Sequence, residues 1–183
     1  MLQTMFQPFP ELMTDRLLLR QLHTTDAPEL FFLRSNQEVM KYISRAPAKT
    51  MEEVNAFIKS ISETVRKGDG IFWAIALRTN PAVLIGNIGV WQIQKENRRA
   101  EIGYVLHPNF WGQKMISEAL KKAVDFAFNK IRLHSLEARI DPLNVASAKV
   151  LLAANFKKEG YFKEDTFFNG QYLDTEVYSK LAK

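Results

Sequence analysis

Apolar positions change their spacing several times along this chain, and each change marks an element. Arg16–Leu22 is a short apolar stretch of strand length. Thr25-Asp26 then opens a helix carrying Leu30, Phe31 and Leu33, and Pro28 sits in its first turn, where no intrahelical N–H is needed. Thr50 with Glu53 three residues on is a capping box. It starts a helix in which Val54, Phe57, Ile58, Ile61 and Val65 follow a 3.6-residue period until Gly68 stops it.

Strand patterns follow. Ile71–Arg78 is apolar, Thr79-Asn80-Pro81 is a turn, and Ala82–Ile93 is a second strand interrupted by Gly86 and Gly89. The polar break Gln94–Arg99 leads to a third strand, Ala100–Leu106. A loop, His107–Lys114, precedes a helix from about Met115 to Lys130, with Ile116, Leu120, Ala123, Val124, Ala127 and Ile131 on one face. Ser135–Ile140 is a strand closed by Asp141-Pro142, and Asn144 caps a helix through Ala153 with Asn155 at the left-handed C′ position. Strands near Phe156–Phe162 and Gln171–Lys180 flank an Asn169-Gly170 hairpin turn. This order predicts an α/β (α+β) fold: a mixed sheet with helices on both faces. No repeat, low-complexity tract or linker interrupts it, so one domain over 1–183 is expected.

Composition narrows the chemistry. Apolar residues are 46% of the 183, with 13 Phe, enough for a sizeable core. The absence of cysteine excludes a disulfide framework, a thiolate zinc site and a cysteine acyl-enzyme. His107 and His134 have no partner at metal spacing, so no metal is expected. The net charge of +5 fits either an ordinary basic surface or a polyanionic partner, such as a phosphate-bearing cofactor or a ribosomal neighbourhood. The basic residues cluster only in pairs, unlike the stripe of a nucleic-acid binder. Met1–Pro10 has no signal-peptide pattern, and the apolar runs Ile71–Leu77 and Pro81–Ile85 fall far below the ~18 residues of a membrane span. A soluble cytoplasmic protein, monomer or homodimer, is the expectation.

The stretch EIGYVLHPNFWGQKMISE, Glu101 to Glu118, carries the most chemistry. Gly103 within a strand suggests a bulge or a ligand lying against the backbone. A loop containing Gly112 that runs straight into a helix is either a plain connection or a pyrophosphate cradle of outward main-chain N–H groups at a helix N-terminus.

The stretch resembles the signature of RimJ/RimL-type GNAT acetyltransferases, in which a strand like EIGY-x-L-x-P precedes a W-G-x-G-x-x-x-E-A turn. MTDRLLLRQL, LIGNIGVW and NVASAKVLLAANF resemble other segments of that family in the right order, over roughly residues 12 to 180. The resemblance implies a mixed, mostly antiparallel sheet of about seven strands, splayed between two neighbours to admit the pantetheine arm of acetyl-CoA. It implies that the backbone of Ile102, Gly103, Tyr104, Val105 and Leu106 pairs with the pantetheine amides. Gly112, Gln113, Lys114 and Met115 would hold the pyrophosphate, Asn144 the cofactor arm, and Ser147 would sit near the sulfur.

The sequence departs from that pattern at Lys114, where the family usually has a second glycine. A lysine enters left-handed backbone only at a cost. It therefore either weakens the cradle or adds an ammonium contact to a phosphate. Asn109 stands where the wider superfamily often has Gln or Arg, and Asn155 where a glycine is usual. Leu151 stands where a tyrosine general acid is common, which leaves Ser147 as the candidate donor to the departing thiolate. Glu101 is either the general base for the amine, through a water, or a strand-start charge pairing Arg98 or Arg99. Glu118 fits a structural helix-end role, and Trp111 either packs or flanks the loop over the cofactor.

The expected reaction is acetyl transfer from acetyl-CoA to a primary amine. At pH 7 an α-amino group is about 14% neutral, but a lysine amine only about 1 part in 2,500. One carboxylate base thus suits a protein N-terminus, such as a ribosomal protein's. A small amine (polyamine, amino acid or aminoglycoside) is the alternative acceptor, in a groove lined by Phe31–Lys59. A catalytically silent CoA-binding module is the alternative from another class.

Overall fold

The helix-capping signals act locally, but the capping box at Thr50 is only half formed, because the Glu53 carboxylate accepts from the Lys49 N–H and not from that of Thr50. Thr50 accepts a hydrogen bond from the Glu53 N–H, and Gly68 closes the helix at φ 71°. The computed structural model describes residues 2–182. In chain order its elements are β1 (Leu12–Met13), β2 (Leu17–Gln21), α1 (Ala27–Ser35), α2 (Gln37–Met40), α3 (Met51–Lys67), β3 (Gly70–Leu77), β4 (Asn80–Gln94) and β5 (Arg99–Leu106). Then come α4 (Met115–Phe126), which continues as a π-helical turn over Ala127–Ile131, β6 (Ser135–Ile140), α5 (Val145–Ala153), β7 (Lys157–Phe168) and β8 (Gln171–Leu181).

Among the described residues the strands form one eight-stranded sheet in the order β1-β2-β3-β4-β5-β6-β8-β7. Every neighbouring pair is antiparallel except β5–β6. The mixed α/β fold agrees with expectation; the extra strand is the two-residue β1, too short to leave a pattern. No helix among the described residues is long and apolar enough to cross a membrane.

The core lies under the central strands. In β3, Ile71, Trp73, Ala74, Ile75 and Ala76 are all fully buried, so consecutive residues on both faces are covered. Helices α1 and α3 pack against β4 and β3, and α4 against β2 and β4. The Trp73 ring meets Phe126 edge-on at 5.4 Å, and its Nε1–H donates to the Pro10 carbonyl at 2.8 Å, which satisfies the buried indole.

One strand boundary differs from the pattern for a physical reason. β7 runs to Phe168, because the charged run after Phe162 is carried through a register shift with Glu164 at φ 53° rather than ending the strand. The hairpin that follows turns on Asn169 and Gly170, both at positive φ (49° and 79°), as a two-residue turn of this kind requires.

Candidate active site

The feature that opens the sheet is the short pairing of β5 with β6. Their parallel ladder holds three residue pairs, Arg99–Ser135, Ala100–Leu136 and Glu101–Glu137, although β5 runs on to Leu106 and β6 to Ile140. On its other side β5 stays paired with β4 as far as Leu106. Among the described residues, Ile102–Leu106 therefore has no strand partner on the β6 side, and its main-chain groups there, apart from the Leu106 carbonyl that the Trp111 indole takes, are available to an extended guest. The strands are adjacent, parallel and splayed at their C-terminal ends, as the sequence led us to expect.

A cleft of about 720 Å³ opens on this splay. Its floor follows from the period of two: Glu101, Gly103 and Val105 line it from β5, and their cross-strand partners Trp91, Gly89 and Asn87 line it from β4. Gly103 sits in register opposite Gly89, so the bulge, one of the two readings of this glycine, is not there. Its Cβ position is taken by an aromatic ring instead: an added Cβ would lie 2.6 Å from Trp91 Cη2. The Trp91 ring stacks on Phe72 at 5.7 Å, and the two glycines leave room for that pair.

Glu101 stands at the point where the ladder ends. The surface pairing considered for it does not form, since Arg99 binds Glu137 and the Arg98 guanidinium donates to the Arg132 carbonyl. Its carboxylate has no hydrogen bond or ion pair among the described residues. Burial raises its pKa above the ordinary carboxylate range, partly offset by the positive charges of Arg139 and Arg45.

Tyr104 and Ser147 connect the two walls of the gap. The Tyr104 hydroxyl lies 2.9 Å from Ser147 Oγ, and either can donate. Burial pushes the Tyr104 phenol up to about 12, so it stays protonated through the neutral range. Asn144 caps α5 as expected, its Oδ1 accepting from the Ser147 N–H at 3.0 Å. The sequence pointed to Tyr104 for its backbone only. The available signal was alternation, which puts its side chain on the face opposite Glu101, where a buried phenol needs a partner.

The proposed cradle lies apart from the cleft lining, at the N-terminus of α4. Gly112 has φ 72°, and Lys114 occupies the N-cap at φ 60°, ψ 16°. Lys114 thus takes the left-handed conformation that a glycine would take freely, at roughly 1–2 kcal/mol. Nothing lies within 4 Å of a Cβ added at Gly112, so its conformation rather than its space calls for glycine there. Met115 is buried beneath the turn. The loop is held from below by Arg16, whose Nη1 donates to the Gln113 carbonyl at 3.1 Å and whose Nε donates to Glu118 at 2.8 Å. Glu118 also accepts from the Thr14 hydroxyl and the Arg16 N–H, which fits the structural role read for it. The Trp111 indole donates to the Leu106 carbonyl at 2.8 Å and so fastens the loop to the end of β5. An open strand edge leading to a left-handed turn and a helix N-terminus fits a long cofactor with an amide-bearing arm and a pyrophosphate.

Ile102 and Leu106 point into the core, so only their main chain faces the gap. Three arginines in or at the cleft, Arg34, Arg45 and Arg139, were not singled out from the sequence. They come from α1, the segment after α2 and β6, and no local motif links them.

Comparison with known proteins agrees with this geometry. The family model described as acetyltransferase (GNAT) domain matches residues 16–157. The uncharacterized N-acetyltransferase YoaA of Bacillus subtilis (strain 168) is 36% identical over 171 residues, covering 93% of this chain and 96% of YoaA. Among solved structures, RimL, a ribosomal-protein α-N-acetyltransferase in complex with coenzyme A, superposes with a TM-score of 0.83 at 22% identity, over 92% of this chain and 95% of that one. The spermidine N-acetyltransferase of Vibrio cholerae, in complex with CoA and spermine, gives 0.81 at 21% identity over 92% and 96%. At those identities the two structures bear on the fold alone.

Proposed function

Since this chain belongs to the GNAT family of acetyltransferases and is an acetyl-CoA-dependent N-acetyltransferase, we propose that its acceptor is an α-amino group, such as that of a ribosomal protein's N-terminus. The carrying observation is the unpartnered Glu101 carboxylate, at the end of the β5–β6 ladder and on the floor of the cleft. Its raised pKa suits it to take a proton, directly or through a water, from an amine that is already partly neutral. An α-amino group meets that condition far better than a lysine or polyamine amine.

The remaining roles follow from position. Bound acetyl-CoA supplies an activated thioester carbonyl. The free edge of Ile102–Leu106 orients its arm, and the N–H groups of Gly112–Met115 face its pyrophosphate. Asn144 holds the first turn of α5, which presents Ser147. Ser147 Oγ, backed by the Tyr104 hydroxyl at 2.9 Å, holds a proton for the departing sulfur.

Thiol release from acetyl-CoA, measured with peptides bearing free N-termini, Nα-blocked peptides containing lysine, and spermidine, tests this. We expect turnover with free N-termini and little with the other two. Preference for spermidine would overturn the acceptor and leave the reaction class standing.

A further inference from the structure

Two guanidinium groups in the cleft form no ion pair among the described residues. Arg34, in the last turn of α1, lies over the Phe57 ring with Cζ 3.9 Å from its centroid. Its Nε is buried without a hydrogen-bond partner, and among the described residues it is the one side-chain atom in that state. Arg45, exposed in the segment after α2, takes part in none of the ion pairs of the described residues. The Ala48 N–H donates to the Arg34 carbonyl at 2.8 Å and ties this segment over the end of α1. Both arginines line the cleft that holds Glu101. Desolvation and the positive charge of Arg45 both disfavour the Arg34 cation and hold its pKa below the usual value.

The other charges of the cleft are answered within the protein. Glu137 binds Arg99, and Arg139 binds Asp165 at 2.6 Å. Asp174 accepts from the Tyr161 hydroxyl and the Glu164 N–H, and Asp141 accepts from the Leu143 N–H at 2.7 Å. Glu53, whose charge acts on Arg34, is engaged with the Lys49 N–H at 2.9 Å. What remains is one carboxylate on the floor and two cations on the helical wall. An oxyanion bound by Arg34 and Arg45 would relieve the repulsion between like charges, and the guanidinium fork suits a carboxylate.

We infer that the acceptor carries, besides its amine, a carboxylate or similar oxyanion that Arg34 and Arg45 receive while the amine lies at Glu101. This deepens the transfer reading above and rests on it. The oxyanion is either the free carboxylate of an amino acid or an acidic side chain close behind a peptide N-terminus. A polyamine is excluded by the same wall, because its second ammonium would stand against two cations.

Matched acceptors decide the matter. Thiol release is compared for peptides with Asp, Asn or Lys at the second position, for amino acids against their carboxamides, and for spermidine. We expect the anionic member of a matched pair to be favoured at least tenfold in kcat/KM over the neutral one, with the preference shrinking as salt rises. The two arms show which source of oxyanion is used. Arg34→Gln and Arg45→Gln should each reduce the anionic-to-neutral ratio several-fold, and Arg34→Lys should retain part of it. Calorimetric titration of the CoA-loaded protein with the Asp and Asn peptides, and with an amino acid and its carboxamide, reads the same preference without turnover. Thiol release with no anionic preference, or a preference for Lys or spermidine, overturns the inference and spares the transfer reading. Anionic preference in binding with no thiol release against any amine sinks the transfer reading instead. Equal binding of the anionic and neutral members in both arms overturns the oxyanion site outright.

Discussion

The two sides of the cleft are built in different ways. The proposed cofactor side is one continuous piece of chain: the free edge of β5, the loop through Gly112 and the N-terminus of α4. The groups it offers a cofactor are main-chain N–H and C=O, and its shape is set by local conformation, with positive φ at Gly112 and Lys114. The proposed acceptor side is assembled from side chains on separate elements, Arg34 from α1, Arg45 from the following segment, Glu101 from β5 and Arg139 from β6. A main-chain site tolerates side-chain change as long as the backbone can adopt its turn. A side-chain site changes its guest with a single substitution. That difference explains how one fold can keep a common cofactor while acceptors vary.

The largest effect should come from the acceptor side. Glu101→Gln should lower kcat by about 10²-fold or more, with acetyl-CoA affinity unchanged in calorimetry. The rate needs the ionised carboxylate, so the wild-type acidic limb should lie above the ordinary carboxylate pKa of 4.5, and the Gln variant should lose it. Stability should move the other way. A carboxyl whose folded pKa is raised holds its proton more tightly folded than unfolded, so it favours folding at low pH and loses that contribution as pH rises through the raised pKa. The Gln variant should therefore be no less stable than wild type at neutral pH, as a thermal melt will show.

Ser147 and Tyr104 sit between the two sides and sharpen the comparison. Ser147→Ala and Tyr104→Phe should each lower kcat roughly 10- to 100-fold, with little change in acetyl-CoA binding. The double variant should lose much less than the product of the two, because the 2.9 Å contact makes them one unit. Full additivity would mean that the two hydroxyls act separately.

On the cofactor side, Arg16→Ala removes the contacts to the Gln113 carbonyl and Glu118 and frees the loop. Acetyl-CoA binding should weaken about two- to fivefold, the scale of an exposed ion pair, with kcat at saturation nearly unchanged. A large fall in kcat would show that the two sides are not separable.

The smallest change is expected at Lys114. Lys114→Gly relieves the left-handed strain and should raise Tm by about 2–4 °C, whereas Lys114→Ala keeps the strain and should not. If the ammonium contacts a phosphate, Lys114→Ala weakens acetyl-CoA binding and the loss shrinks as salt rises. If the cradle is damaged instead, Lys114→Gly tightens binding at every salt concentration. Equal affinity in all three proteins would refute both accounts.

Much of this molecule was legible in the amino-acid order alone. Thr50, Gly68, Asn144, Asn155 and Asn169-Gly170 act through hydrogen bonds and φ angles within a few residues, so their effect does not depend on the rest of the fold. The turn proposed as the pyrophosphate cradle is local in the same way, with its positive φ angles at Gly112 and Lys114. Three things were decided only in three dimensions. Gly103 is required by the Trp91 ring across the strand pair, not by a bulge, because the clash involves a residue from another strand. Among the described residues Glu101 is left without a partner, because Arg99 binds Glu137 from the neighbouring strand instead. The Tyr104–Ser147 contact joins residues 43 apart in the chain, and the Arg34–Arg45 pair shares a cleft with Glu101 only in the folded molecule. Local conformational energy is written in neighbouring residues, whereas burial, charge compensation and the pairing of distant side chains exist only once the chain has closed on itself.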